Sequence, residues 1–286
     1  MSKQYDELDN ITRAALARST SEVIGGLGER LTVHRSNEAM ITKLAKTLLA
    51  DYLSATASGR TKVAMIVPVG PVGQYDIFAR ISVEQGVDLR QLTLIVMDEY
   101  LTNECNWINQ DDALSFRSHI ERHLLANLPT DNRPEIVVPD PHDLAGVQQA
   151  IDRAGGVETT FAGVGITGHL AFNEPMEGVE DPGYFASLPT RIVPLLAQTR
   201  LINSVTAARG NVARIPRMAV TVGMKEILSA RRVRIFMNRH WQAAAIRRLA
   251  FGPVTASFPA SLVQTHQDWS LDAVEEVLLP AEPQLA

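Results

Sequence analysis

Short apolar runs alternate along this chain with stretches whose apolar residues recur at helical spacing, and that alternation leaves few folds open. Lys62-Val-Ala-Met-Ile-Val-Pro68 and Leu92-Thr-Leu-Ile-Val-Met97 have almost no polar side, as expected of strands buried on both faces. Between Asn37 and Ala57, Met40, Ile41, Leu44, Ala45, Leu48 and Leu49 repeat at helical spacing behind Ser36, a good N-cap. The same reading predicts strands at Glu135–Val138, Thr159–Val164 and Val233–Met237. It predicts helices at Gln74–Gln85, Ala113–Ala126, Asp143–Ala154 and His240–Ala250. Strands alternating with helices imply an α/β fold, a mostly parallel open sheet with helices on both faces. No internal repeat, low-complexity tract or linker interrupts it, so the expectation is one α/β domain over 31–286 behind an N-terminal extension, 1–30.

Composition narrows the function classes. With 27 Lys and Arg against 32 Asp and Glu, the formal charge of −5 gives no general attraction to nucleic acid. The only cysteine, Cys105, allows no intrachain disulfide and suits a reducing compartment. The start of the chain, MSKQYDELDN, has no apolar leader segment, and no apolar run is long enough to span a bilayer. The seven histidines lack metal-ligand spacing. These features predict a soluble cytoplasmic protein without a metal, a nucleic-acid partner or a membrane partner.

In open α/β sheets ligands bind beyond the carboxyl ends of the strands. Three such ends carry unusual residues: Val69-Gly-Pro-Val-Gly73, Asp98-Glu99-Tyr100 and Gly163-Val-Gly-Ile-Thr-Gly-His-Leu-Ala-Phe-Asn-Glu-Pro175. The glycines in the last segment allow tight turns and close approach of backbone to a ligand. A carboxylate such as Glu174 can fix the tautomer of His169 and raise its basicity. Plainer roles are open at each place: a strand-to-loop turn for the glycines, a packed histidine, and a helix cap or loop acid for Asp98.

Four blocks in order, Met97-Asp-Glu-Tyr100, Gly168-His-Leu-Ala-Phe-Asn-Glu-Pro175, Ala219-Val-Thr-Val-Gly223 and Pro259-Ala-Ser-Leu-Val-Gln-Thr-His266, resemble the glucosamine-6-phosphate deaminase/isomerase family, to which the 6-phosphogluconolactonases are related. The resemblance runs from about Leu31 to the C-terminal region. It implies a Rossmann-like sheet and aldose–ketose isomerisation of an amino sugar with loss of ammonia, without a cofactor, in a homo-oligomer. By motif position it implies that Asp98 moves the proton between C2 and C1. His169 would assist ring opening, with Glu174 as its carboxylate partner. Gly70, Gly73, Glu99, Gly165, Thr167, Gly168, Asn173 and Arg200 are the expected substrate-binding residues. A lactonase, or a non-catalytic sugar-binding or regulatory protein, is the alternative expectation.

The departures are as informative. Thr167 stands where the family has an aspartate, and a threonine offers a hydrogen bond but no charge. The turn Pro68-Val-Gly-Pro-Val-Gly-Gln74 has no hydroxyl, and proline removes a backbone donor. Val205 replaces an expected arginine and Gln242 an expected lysine. Arg239, His240, Arg247, Arg248 and Lys225 are candidate replacements, or simply solvated charges on helix faces. The expectation is an altered phosphate site.

Overall fold

The computed structural model describes residues 9–281. Among the described residues, ten strands form two sheets: β1 Leu31–His34, β2 Val63–Val67, β3 Leu92–Val96, β4 Asp98–Leu101, β5 Glu135–Val137, β6 Val157–Ala162, β7 Arg191–Pro194, β8 Met218–Thr221, β9 Arg232–Met237 and β10 Trp269–Val274. The large sheet has the order β1-β10-β9-β6-β2-β3-β5, and every neighbouring pair in it is parallel. Each residue of β2, β3 and β6 is buried, so both faces of the sheet are covered there, as the apolar runs of β2 and β3 predict, while β6 also buries Glu158, Thr159 and Thr160. The helix Asn37–Ala57 begins on Ser36, whose hydroxyl accepts from the Ala39 N–H, and buries the six apolar residues named above.

The topology decides where a ligand can sit. From β2 the chain steps outward through β3 to β5, while β6 returns on the other side of β2 and leads toward β9 and β10. Crossovers therefore leave β2 and β6 in opposite directions, and a crevice opens between their carboxyl ends, where open sheets bind ligands. The loops beginning at Pro68 and Gly163 enter that crevice.

Several elements differ from the sequence-based expectation. Asp98-Glu99-Tyr100 is not a loop but β4, which pairs antiparallel with β8 in a small sheet of order β4-β8-β7. Four-residue strands carry too little period-two pattern to be seen locally, and their pairing partners lie far away in sequence. The four-residue edge strand β1 was missed for the same reason, and the six-residue β10 was missed as well. The helix expected from Ala113 begins at Phe116, held by the Ser115 hydroxyl. The N-terminal extension, expected to be helical or partly mobile, contains helices Asn10–Leu16 and Thr20–Leu27, and Val23 and Leu27 join the main core. Residues 1–8 lie outside the described part. Among the described residues, no helix is long and apolar enough to cross a membrane.

Candidate active site

A cavity of about 320 Å³ fills the crevice, with walls from the carboxyl ends of four parallel strands. Pro68 to Val72 follow β2, Met97 and Asp98 follow β3, Gly163 to Gly165 follow β6, and Asn238 and Arg239 follow β9. The volume lies within the range of small-molecule sites. Asp98 and His169 both open into it.

Successive strand residues point to opposite faces, and β4 uses this to separate two adjacent acids. Asp98 points into the cavity, and its carboxyl forms no hydrogen bond with any described residue. Burial, and then the charge of Glu99, pushes its pKa up to about 8. Glu99 faces the other way and is fully buried. It accepts from the Tyr100, Phe116 and Arg117 backbone N–H groups, from the Ser115 hydroxyl and from Arg117 Nε. It thereby anchors the N-terminus of the helix Phe116–His123, where negative charge is favoured. Tyr100 turns back toward the cavity and packs between Phe116 and Phe172, with its hydroxyl accepting from Asn203 Nδ2 at 2.9 Å.

His169 is held from its Nδ1 side. Thr167 Oγ1 lies 2.9 Å from Nδ1 and donates to Glu174 Oε2 at 2.7 Å; Glu174 Oε2 is itself 3.2 Å from Nδ1. Thr199 Oγ1, from the helix Ala197–Ala207, lies 3.5 Å away on the same side. Burial pushes the Glu174 pKa up, but hydrogen bonds from His169, Thr167 and Thr199 and the attraction of His169 outweigh it, and the group stays below its ordinary value. Nε2 has no described partner. It lies against Gly165, where an added Cβ would come within 1.9 Å of it. The absence of a side chain at Gly165 therefore makes room for the imidazole itself.

The chain has clear relatives. A glucosamine-6-phosphate deaminase of Porphyromonas gingivalis is 27% identical over 249 residues, covering 83% of this chain and 88% of that protein. One from Halothermothrix orenii is 29% identical over 234 residues, covering 82% and 89%. No protein-family model matches. This chain is a distant relative of the glucosamine-6-phosphate deaminases. Among solved structures, a monomeric glucosamine-6-phosphate deaminase superposes with a TM-score of 0.71 at 22% identity, covering 87% of this chain and 98% of that one. A 6-phosphogluconolactonase from Shewanella baltica gives 0.61 at 15% identity, covering 85% and 97%. At these identities the structural likeness concerns the fold.

Measured against the deaminase resemblance, the expected site residues fall into three groups. Asp98, His169, Gly70 and Gly165 line the cavity. Thr167 and Glu174 stand behind His169. The remaining expected contacts lie outside the cavity lining. Glu99 anchors a helix, because it is one residue out of phase with Asp98. Asn173 is fully buried; its amide donates to the Leu170 and Val222 carbonyls and its oxygen accepts from Arg191, so it holds the loop in shape. Arg200 reaches the Val212 and Ile215 carbonyls. Gly73 is the N-cap of the helix Gln74–Glu84, at φ 111°. Gly168, at φ 82°, leaves room for the Phe258 ring.

The candidate cations are sorted as well. Arg247 is wholly buried and spends its guanidinium on the Arg18, Ala243, Leu278 and Leu279 carbonyls. Arg248 stacks over Phe258. Among the described lysines and arginines, Arg239 alone lines the cavity. Gln242 lines it too, but its amide is occupied: Nε2 donates to the Val164 carbonyl, and Oε1 accepts from the Asn238 and Arg239 N–H groups. Val205 is exposed and outside the lining. Sequence reasoning overlooked Asn203, Thr206 and Trp241 as cavity residues and Thr199 as a neighbour of His169. In the stretch Thr199–Ser204 only Arg200 was expected at the site, whereas Asn203 lines the cavity and Thr199 lies near His169.

Proposed function

We propose that this chain is an aldose–ketose isomerase and deaminase of amino sugars. Asp98 takes the proton from C2 of the open-chain aldehyde and returns it to C1. The resulting imine at C2 is hydrolysed by water, which releases ammonia and leaves a ketose. His169 moves the proton between the anomeric hydroxyl and the ring oxygen to open the pyranose, with Glu174 behind it. The observation that carries this reading is the pairing in one cavity of an Asp98 carboxyl free of protein hydrogen bonds and a His169 with Nε2 unpartnered. A carboxyl with a pKa pushed up to about 8 suits proton exchange near neutral pH.

The phosphate end of the site is altered in this reading. A phosphate dianion entering a cleft needs donors and positive charge to offset its desolvation. Val69, Pro71 and Val72 form that wall, and among the described lysines and arginines only the exposed Arg239 lines the cavity. The preferred substrate is therefore an amino sugar whose far end carries little or no charge. The resemblance also suggests a cytoplasmic homo-oligomer, which size-exclusion chromatography with light scattering tests.

The deciding assay measures ammonia and ketose from glucosamine and other unphosphorylated amino sugars, alongside glucosamine 6-phosphate. Ammonia in step with ketose supports the reading. Lactone hydrolysis without ammonia, or sugar binding without turnover, overturns it.

A further inference from the structure

The contacts around His169 determine where its ring proton lies. Glu174 is buried and held in its ionised form, so its carboxylate oxygens only accept. The single hydroxyl proton of Thr167 is therefore committed to Glu174 Oε2, 2.7 Å away. With that proton spent, Thr167 Oγ1 faces Nδ1 at 2.9 Å with a lone pair only. A short contact between a lone pair and a ring nitrogen is favourable only if the nitrogen carries hydrogen. Nδ1 is therefore the donor, and the direct 3.2 Å approach of Glu174 Oε2 to Nδ1 favours the same assignment.

We infer that Thr167 is a positioning residue: its hydroxyl links Glu174 to His169, holds the neutral imidazole in the Nδ1–H tautomer and leaves the Nε2 lone pair toward the cavity. A charged residue is not required at position 167 for this, because the polarity comes from Glu174 and the hydroxyl transmits it. The linkage also pins the ring in the plane that passes over Gly165. The catalytic consequence rests on the ring-opening role proposed for His169; the tautomer itself does not.

The test uses full-length protein with 15N-labelled histidine and no ligand. Two-bond 15N–1H correlation spectra show which ring nitrogen carries hydrogen, and His169→Asn assigns the signals. The wild-type ring should be a single Nδ1–H form, and an Nε2–H form would overturn the inference without any variant having to fold. Thr167→Val, similar in shape but without the hydroxyl, should give a mixture of tautomers and at least a ten-fold loss in kcat at unchanged KM. Thr167→Ser should restore both. A Thr167→Val protein that keeps the pure Nδ1–H form shows that Glu174 suffices, and overturns the inference. A shifted tautomer with unchanged kcat sustains Thr167 as the positioning residue and overturns the ring-opening role of His169 instead.

Discussion

Asp98 and Glu99 are adjacent in sequence and lie on opposite faces of one four-residue strand, the first open to the cavity and without protein hydrogen bonds, the second fully buried with five. The pleat alone gives two neighbouring carboxylates opposite assignments. Substitution at each should therefore fail in a different way.

Asp98→Asn should remove turnover and leave the fold intact. An amide cannot accept the C2 proton, and a positioned acid–base group typically contributes ~10²–10⁴-fold. Steady-state assays with circular dichroism check this; a variant within a few-fold of the wild-type rate would rule Asp98 out as the base.

Glu99→Ala should produce the reverse pattern, an unstable protein. It strips the acceptor from three backbone N–H groups and leaves Arg117 without its carboxylate, a loss on the order of 3 kcal/mol or more. Denaturant titration of the two variants side by side should place the larger shift on Glu99→Ala.

The raised pKa of Asp98 makes a prediction about pH. Its carboxyl ionises near pH 3.8 when unfolded but near 8 when folded. Its contribution to stability is therefore fully present below about pH 4 and is lost as pH rises toward 8. Asp98→Asn, which cannot ionise, should gain in melting temperature over wild type as pH is raised through that window, with the gap levelling off above it. A gap that is constant with pH would show that the carboxyl ionises normally. By the same sign, wild-type kcat/KM should rise with pH through about 8 as the base form appears.

Gly165→Ala should disable the site without touching any polar group. The added methyl would come within 1.9 Å of His169 Nε2, while Thr167 and Glu174 hold the ring from the other side. Displacing a reacting group by about 1 Å can cost ~10²-fold. Little change in kcat would mean that the imidazole is free to move aside.

Arg239→Ala should remove what preference the protein has for a phosphorylated over an unphosphorylated amino sugar. Charge-assisted hydrogen bonds contribute about 1.5–3 kcal/mol, so calorimetric affinity for glucosamine 6-phosphate should fall at least ten-fold while that for glucosamine holds. Tight phosphate binding that survives the substitution would locate the anion elsewhere.

The sequence by itself determined the parallel core and the place of the site. The almost wholly apolar runs at β2 and β3, with Thr93 their one polar residue, read as strands covered on both faces, and Ser36 with six periodic apolar residues reads as the start of an amphipathic helix. That Asp98 and His169 line one cavity, with Glu174 beside His169, was legible because their motifs are local and stand at strand ends. What the tertiary structure alone decided were properties set by facing and by distance. Whether Asp98 or Glu99 looks into the cavity depends on how β4 pairs with β8, more than a hundred residues later. Whether Arg247 is free or Gln242 available depends on which carbonyls and N–H groups the fold brings to them. Gly165 lines the cavity as expected of a ligand-facing glycine, but only the folded loop shows that its missing side chain also seats His169. Strand and helix periods are written into neighbouring residues, but a side chain's partner is set by the packing of distant segments.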